Sequence, residues 1–556
     1  MTREGILPKD GHHPPDPPTP LPPISFLLFL SFVLTAFGLL LYGQSLLCPF
    51  LWDEYGIILD NAGKGAFEWK NLPSLFSHRY FHIPGSPELR IHLPYYRPVT
   101  VLFHALSYHA FGLAPWGYRL ESLLLHVGNT VLLFVLLSMF FSKYTDLSTR
   151  SAVVLTGTLL FFTHPRNVES VCIIANQTGL LCAFFSLLSL FCWTRILVGS
   201  RHLLSLYLAS LVTLLLAMLA KESGYVVPLL HGLFFLVFGS KRSKRMLWLL
   251  SGYLLVVFVP LSIRHLCLEG TSIGTAFVRE LSRQGSLSSH LEPVLLLFFH
   301  QLDQWFFPVD IQLFQYPFLS ERITFREVGL PVLLSSALVW RLRGDSRLLA
   351  FGFGLFFIAY LPSSNLIPMG KLPGGGLKTG AHHLYLAQAG LALLVGAALF
   401  SSDRKVPEPG RRSWKRLTAW FLALALVLLL CHQTFRFSGY FQSADRFYRA
   451  VLERNPAYSG AWQNYGWYKL YLENKPAEAE RILLDGLEVV GSKEDFRGER
   501  KLTWNLLHLY LGEERFDEAE TLLQCTAEKW MEDPLGNHYF WTLVQRLEDR
   551  DEGASL

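Results

Sequence analysis

Between residues 24 and 435 the chain alternates apolar runs with short polar loops, and the runs reach the roughly 17–25 residues of a helix that crosses a hydrocarbon core. The runs cover residues 24–47 and 119–141, one segment on either side of FTHPRNVES, and then 203–220, 225–238, 247–263, 328–340, 348–361, 385–399 and 417–430. No stretch alternates apolar and polar positions with the period of two that a membrane barrel needs. The pattern predicts an all-α polytopic membrane protein of eleven spans. Residues 1–23 are proline-rich without apolar periodicity, which predicts an extended or disordered tail. From residue 437 the pattern changes to charged, Ala/Glu/Leu-rich segments of helical character. Three parts follow: a tail (1–23), a transmembrane domain (24–435) and a helical domain (437–556).

Charge adds orientation. The loops SKYTDLSTR, TRILVGSRH, SKRSKR, RLRGDSR and SSDRKVPEPGRRSWKR all fall on one side if the eleven runs each cross once. Cationic loops stay on the cytoplasmic face. The N-terminus is therefore expected in the cytoplasm. The first loop (about 48–117), the HPRNVES turn and the domain after 437 are expected in the periplasm or the lumen of the endoplasmic reticulum. PVTVLFHALSYHAFG in the first loop has the mixed character of a helix lying at the interface. A net charge of +5 spread over such loops is not a nucleic-acid signal. Seven scattered cysteines without a CxxC spacing give neither a metal site nor a disulfide framework.

The topology gathers the candidate polar residues on the far side. They are Asp53 and Glu54 in LWDEYGIILDN; Arg79, Arg90 and Arg97; Arg119; His164, Arg166 and Glu169; Lys221 and Glu222; Lys371 and Lys378; and His382, His383 and Tyr385. Charged groups near a membrane are costly unless paired or wet, so such a set points to function. A carboxylate pair with several cations in a hydrophobic frame suits a phosphorylated lipid held beside a general base. Each group also has a plain structural alternative. Asp53 fits a helix cap with Glu54 in the first turn. Lys221 and Glu222 fit a helix-end ion pair, His382 and His383 fit wet interfacial histidines, and Arg97 before Pro98 fits an anchor for the interfacial helix. Carboxylates and histidines on one side permit a divalent cation, but no ligand spacing demands one.

The helical domain resembles tetratricopeptide repeats. Ala444, Ala479 and Ala519 recur at spacings of 35 and 40 residues, and Trp462 and Gly466 fit the first helix of one unit. Such a solenoid usually binds a peptide or protein, and a simple helical bundle is the plain alternative. The ordered series WDEYGIILDN, YYRPVTVLFHALSYHAFGLAPWGYRLESLLLHVGN, THPRNVESV, LLAMLAKESG and HHLYLAQAG, followed by these helices, resembles the transmembrane and tetratricopeptide repeat-containing O-mannosyltransferases and their bacterial relatives. More broadly it resembles the GT-C glycosyltransferases.

That resemblance implies a GT-C-like fold that takes a sugar from a dolichyl- or polyprenyl-phosphate carrier and transfers it, with inversion, to an acceptor outside the cytoplasm. Asp53 and Glu54 would be catalytic. Arg97 and the cations near Lys221 and His383 would border the donor phosphate. The chain departs from the pattern where such proteins carry an Arg and, two positions later, an acidic residue; here they are Gln177 and Gly179. It also carries Ala381 and His382 where they carry Glu-Arg. These departures motivate a second reading: a non-catalytic membrane assembly factor that binds partners through residues 437–556.

Overall fold

The computed structural model describes residues 21–76, 95–141, 147–238, 244–267, 287–309, 324–366, 379–400, 413–491 and 496–531. Among these residues every regular element is helical. Seven helices have the length and apolar content to cross a membrane: Ile24–Leu47, Pro115–Phe141, Ile174–Leu197, Leu203–Ala220, Lys244–Cys267, Ser346–Ser363 and Trp414–Gln442. Shorter apolar helices occupy Glu222–Phe238, Gly329–Leu342 and Gln388–Phe400, and Leu147–Thr163 is a helix of 17 residues. Each apolar run expected from the sequence is thus helical, and the chain is an all-α polytopic membrane protein.

Composition separates central from peripheral helices. Pro115–Phe141 and Ile174–Leu197 are 67% and 72% buried across their apolar windows, whereas Ile24–Leu47 and Lys244–Cys267 are 17% and 11% buried and turn apolar side chains outward. In lipid, apolar surface alone gives helices no reason to associate, so small residues and polar bonds set the packing. A Cβ on Gly396 would lie 2.9 Å from the backbone nitrogen of Gly157, and one on Gly390 would run into the carbonyl of Gly352. The helix Gln388–Phe400 is therefore wedged backbone to backbone between two neighbours. That wedge fixes the polar turn before it, at residues 379–385.

The first and last spans are bolted together at one end. Ser438 Oγ donates to the Leu41 carbonyl at 2.6 Å, and Gln44 Nε2 donates to Ser438 Oγ at 2.7 Å. Gln442 Nε2 donates to Gln44 Oε1 at 2.5 Å. From this latch the chain continues into helices Ala444–Arg454, Ser459–Trp467, Pro476–Gly491, Phe496–Gly512 and Phe516–Met531, each packed on the next. Ala444, Ala479 and Ala519 are all buried, as small residues at helix crossings must be. Gly466 faces Leu483 and Gly486 faces Trp462 with no room for a Cβ. The latch seats this helical layer directly over the loop that leaves the first span.

Candidate functional site

The loop after the first span carries Asp53 and Glu54, and the fold separates the two. Glu54 is completely buried. Its Oε2 accepts from the Leu51 amide at 2.7 Å, and its Oε1 accepts from the Ile174 amide at 2.7 Å. Arg119 Nη2 approaches Oε2 at 3.3 Å. The Arg119 guanidinium is also buried and donates to the carbonyls of Cys172 (3.1 Å), Cys48 (2.6 Å) and Pro49 (2.7 Å). A buried charge left alone costs several kcal/mol, and here both members are paired and hydrogen-bonded. Burial pushes the Glu54 carboxyl up from 4.5 to about 7, with Arg119 and the two amides acting in the opposite direction. Asp53, one residue earlier, is exposed. The helix Tyr55–Asp60 that follows has Glu54 at its N-cap with no side-chain cap bond. Glu54, and not Asp53, thus occupies the N-cap position of that helix.

Residues 164–179 form the strip that joins the separate groups. Ile174 holds Glu54, as above. His164 accepts from the Arg166 amide at its Nδ1 (3.3 Å) and donates from Nε2 to the Trp305 carbonyl (3.0 Å), while its ring stacks on Trp305 at 5.2 Å. One nitrogen accepting and one donating is the neutral tautomer. Burial agrees with it, lowering the His164 pKa to about 3. His164 is thus fully occupied in shaping the turn. Glu169 Oε2 accepts from both the backbone amide and Nδ1 of His382, at 3.2 and 3.0 Å.

Arg166 is the exception in this strip. It is 0% exposed, its Nη2 donates to Gln301, and its Nε and Nη1 have no hydrogen-bond partner among the described residues. Burial pulls its pKa down to about 10, Glu169 acting the other way. Gln301 in turn donates to Thr379 Oγ1 at 3.0 Å. Tyr360 and His300 lie within electrostatic range of the guanidinium, and Tyr360 Oη, His300 Nε2 and Trp305 Nε1 are likewise buried without a partner. Orphaned buried donors are expensive. A ligand rich in acceptor oxygens would satisfy them.

A second cationic group sits at the start of Gln177–Leu197. Arg97 forms a two-pronged pair with Glu222, Nη2 to Oε2 at 2.7 Å and Nε to Oε2 at 3.0 Å. Glu222 therefore pairs with Arg97, in place of the helix-end pair with Lys221. The Lys221 side chain is nearly buried, and burial followed by the Arg97 charge lowers its pKa from 10.5 to about 8. A Cβ on Gly179 would meet only Lys221 Nζ, at 3.5 Å. An acidic side chain at 179 would close on that ammonium; glycine leaves the approach open.

The fold thus brings together Glu54 and Arg119, Arg97 and Glu222, Glu169 and His382, and places Lys221 against Gly179. The His383 ring lies tilted against that of His382, with centroids 4.1 Å apart. Tyr385 is withdrawn from the cluster: its hydroxyl binds His126 Nδ1 (2.7 Å) and Asn129 Nδ2 (3.3 Å) inside the bundle. Arg119 is likewise spent on backbone carbonyls and Glu54. Both were expected at the donor, and both are engaged by other groups inside the bundle. Lys378, with Arg79, Arg90 and Lys371, lies outside the described residues. Gln301, Thr379, Tyr360 and His300 were not expected. The signal for the first was available, since His300, Gln301, Asp303 and Gln304 interrupt the apolar run of the helix Leu287–Phe306. Among the described residues no three His, Cys, Asp or Glu side chains gather where they would hold a metal.

Comparison with known proteins supplies a family context. No family model matches the chain. It is 26% identical over 505 residues to mouse protein O-mannosyl-transferase TMTC4, a match covering 81% of this chain and 64% of that protein. To human TMTC4 it is 24% identical over 430 residues, covering 67% of this chain and 55% of the relative. To human protein O-mannosyl-transferase TMTC3 it is 32% identical over 187 residues, 34% of this chain and 19% of the relative. The chain therefore spans less than two thirds of the length of these curated relatives. They carry the name of the family that the motif order resembles.

Proposed function

We propose that this chain is a membrane glycosyltransferase. It takes a sugar, mannose by the names of its relatives, from a dolichyl- or polyprenyl-phosphate carrier and places it on a protein Ser or Thr hydroxyl. The reaction takes place on the luminal or periplasmic side. The observation that carries this reading is the division of labour within the acidic pair. Glu54 is locked into the bundle by Arg119 and two amides, and Asp53 is thereby presented at the surface.

Asp53 is the general base and Glu54 the residue that positions it. As the acceptor oxygen attacks the anomeric carbon, its proton passes to the Asp53 carboxylate. The bond between that carbon and the phosphate oxygen breaks on the opposite face, and its electron pair leaves with the lipid phosphate. Configuration at the anomeric carbon inverts. Charge that develops on the departing phosphate meets the open N–H groups of Arg166 and the ammonium of Lys221, with His382 and His383 bordering the same region. No step requires a metal ligand set.

The test is transfer from a synthetic polyprenyl-phosphate mannose to a Ser/Thr-rich acceptor by the purified full chain. Asp53→Asn is expected to lower the rate by about 10²–10⁴-fold with the melting temperature unchanged. Undiminished transfer by this variant would remove Asp53 from the base role. A wild-type chain that transfers nothing, yet is retained in a complex through residues 437–556, would favour the assembly-factor reading.

A further inference from the structure

Trp52, immediately before Asp53, has a φ of 54°, in the left-handed region. A bulky L residue holds that conformation only where its surroundings impose it. The surroundings come from the helical domain. The Trp52 ring stacks on Tyr458 at 5.2 Å and lies parallel to Tyr448 at 6.3 Å, with Phe447 edge-on at 6.3 Å. Its backbone amide donates to Tyr448 Oη at 3.3 Å. On the other side of the acidic pair, Tyr55 exchanges a hydrogen bond with the same Tyr448 hydroxyl at 3.1 Å and stacks on Trp467 at 4.4 Å. Tyr448, Tyr458 and Trp467 all belong to the first helices after the last span.

The residues that bracket Asp53 and Glu54 are therefore gripped by the helical domain, whereas Glu54 itself is gripped by the membrane domain through Arg119. We propose that the helical domain is a built-in part of the catalytic loop. Tyr448 is a positioning residue whose hydroxyl and ring hold Trp52 in its left-handed conformation and so set where Asp53 points. This deepens the transferase reading and rests on it. The domain then does more than recruit an acceptor, because any shift of Ala444–Arg454 against the bundle is passed to Asp53 through Tyr448. Tyr448 is fully buried, and its hydroxyl touches both flanks of the pair.

The experiment uses the full chain in lipid nanodiscs with two variants. Tyr448→Phe removes both hydroxyl contacts and keeps the ring; Tyr458→Ala removes one stacked face and leaves the core of the domain intact. Hydrogen exchange of amides 51–58 is expected to rise in both while the amides of Pro476–Gly491 keep their protection. In Tyr448→Phe, kcat is expected to fall by about tenfold with the donor KM unchanged, the pattern of a displaced base. Restoring tyrosine restores both readouts. Unchanged exchange at 51–58 overturns the proposal, as does faster exchange with an unaltered kcat. If the wild-type chain transfers nothing, the proposed function falls by itself, and the exchange measurement alone then decides whether Tyr448 holds the loop.

Discussion

Among the described residues Arg119 and Arg166 are the two most deeply buried arginines, at 1% and 0% exposure, and their surroundings are opposite. Arg119 gives four of its five N–H groups to three carbonyls and one carboxylate. Arg166 gives one bond to Gln301, and its Nε and Nη1 have no partner among the described residues. A membrane frame tolerates the first because the charge is neutralised and hydrogen-bonded on every side. The second carries buried N–H groups that no described residue accepts, and an acceptor there would offset their cost. The difference separates an arginine held by carbonyls and a carboxylate from one that, in the proposed mechanism, meets the donor phosphate, and sequence position alone does not distinguish them.

The largest effect expected from breaking this contrast is on stability. Arg119→Gln leaves Glu54 as a buried carboxylate without its cation and frees three carbonyls, at about 3–5 kcal/mol. Thermal unfolding in detergent should show a chain that melts far below wild type or does not accumulate. The complementary change is Arg166→Gln, in which a poorly satisfied guanidinium is lost. Its melting temperature should stay within a few degrees of wild type, while transfer falls by about 10²–10³-fold. A strong stability loss in Arg166→Gln with normal transfer would reverse the assignment of the two arginines.

The smallest effect concerns pH. Lys221 titrates near 8, so its ammonium, present below that pH, is lost as pH rises through it. Donor KM in the free chain should rise on the alkaline side of pH 8, and Lys221→Arg should move that limb to higher pH because arginine stays protonated. A donor KM that is flat from pH 7 to 9 would take Lys221 out of the phosphate site. The contrast with Arg97 is again one of partners, since Glu222 already neutralises Arg97 through two bonds.

Much of the frame was legible from the order of residues. Apolar runs of spanning length became helices because a bilayer leaves the backbone no other partner than itself, and composition identifies such a run without knowledge of its neighbours. Ala444, Ala479 and Ala519 were legible for a similar reason: a residue where two helices cross must be small whichever helix lies opposite. The site was legible as a collection of residues and not as a geometry. Nothing local to WDEY says that one acid is exposed and the next sealed, because Glu54 is buried by Arg119 and Ile174, 65 and 120 positions away. Tyr385 sits beside the two histidines in sequence, yet the wedged helix after it turns its hydroxyl into the bundle toward His126. Gln301 and Tyr360 reach the Arg166 region from helices whose apolar character hides their role.

The sequence by itself determined that this is a helical membrane protein, where its polar loops lie, and which chemistry-bearing residues those loops hold. Helix formation, span length and small-residue crossings depend on segments that carry their own information. Only the tertiary structure decided which charge is neutralised, which donor is left open, and that Trp52 takes a left-handed turn under the helical domain. Those outcomes depend on contacts between segments far apart in the chain, and a buried group's behaviour is set by its partners and not by its neighbours in sequence.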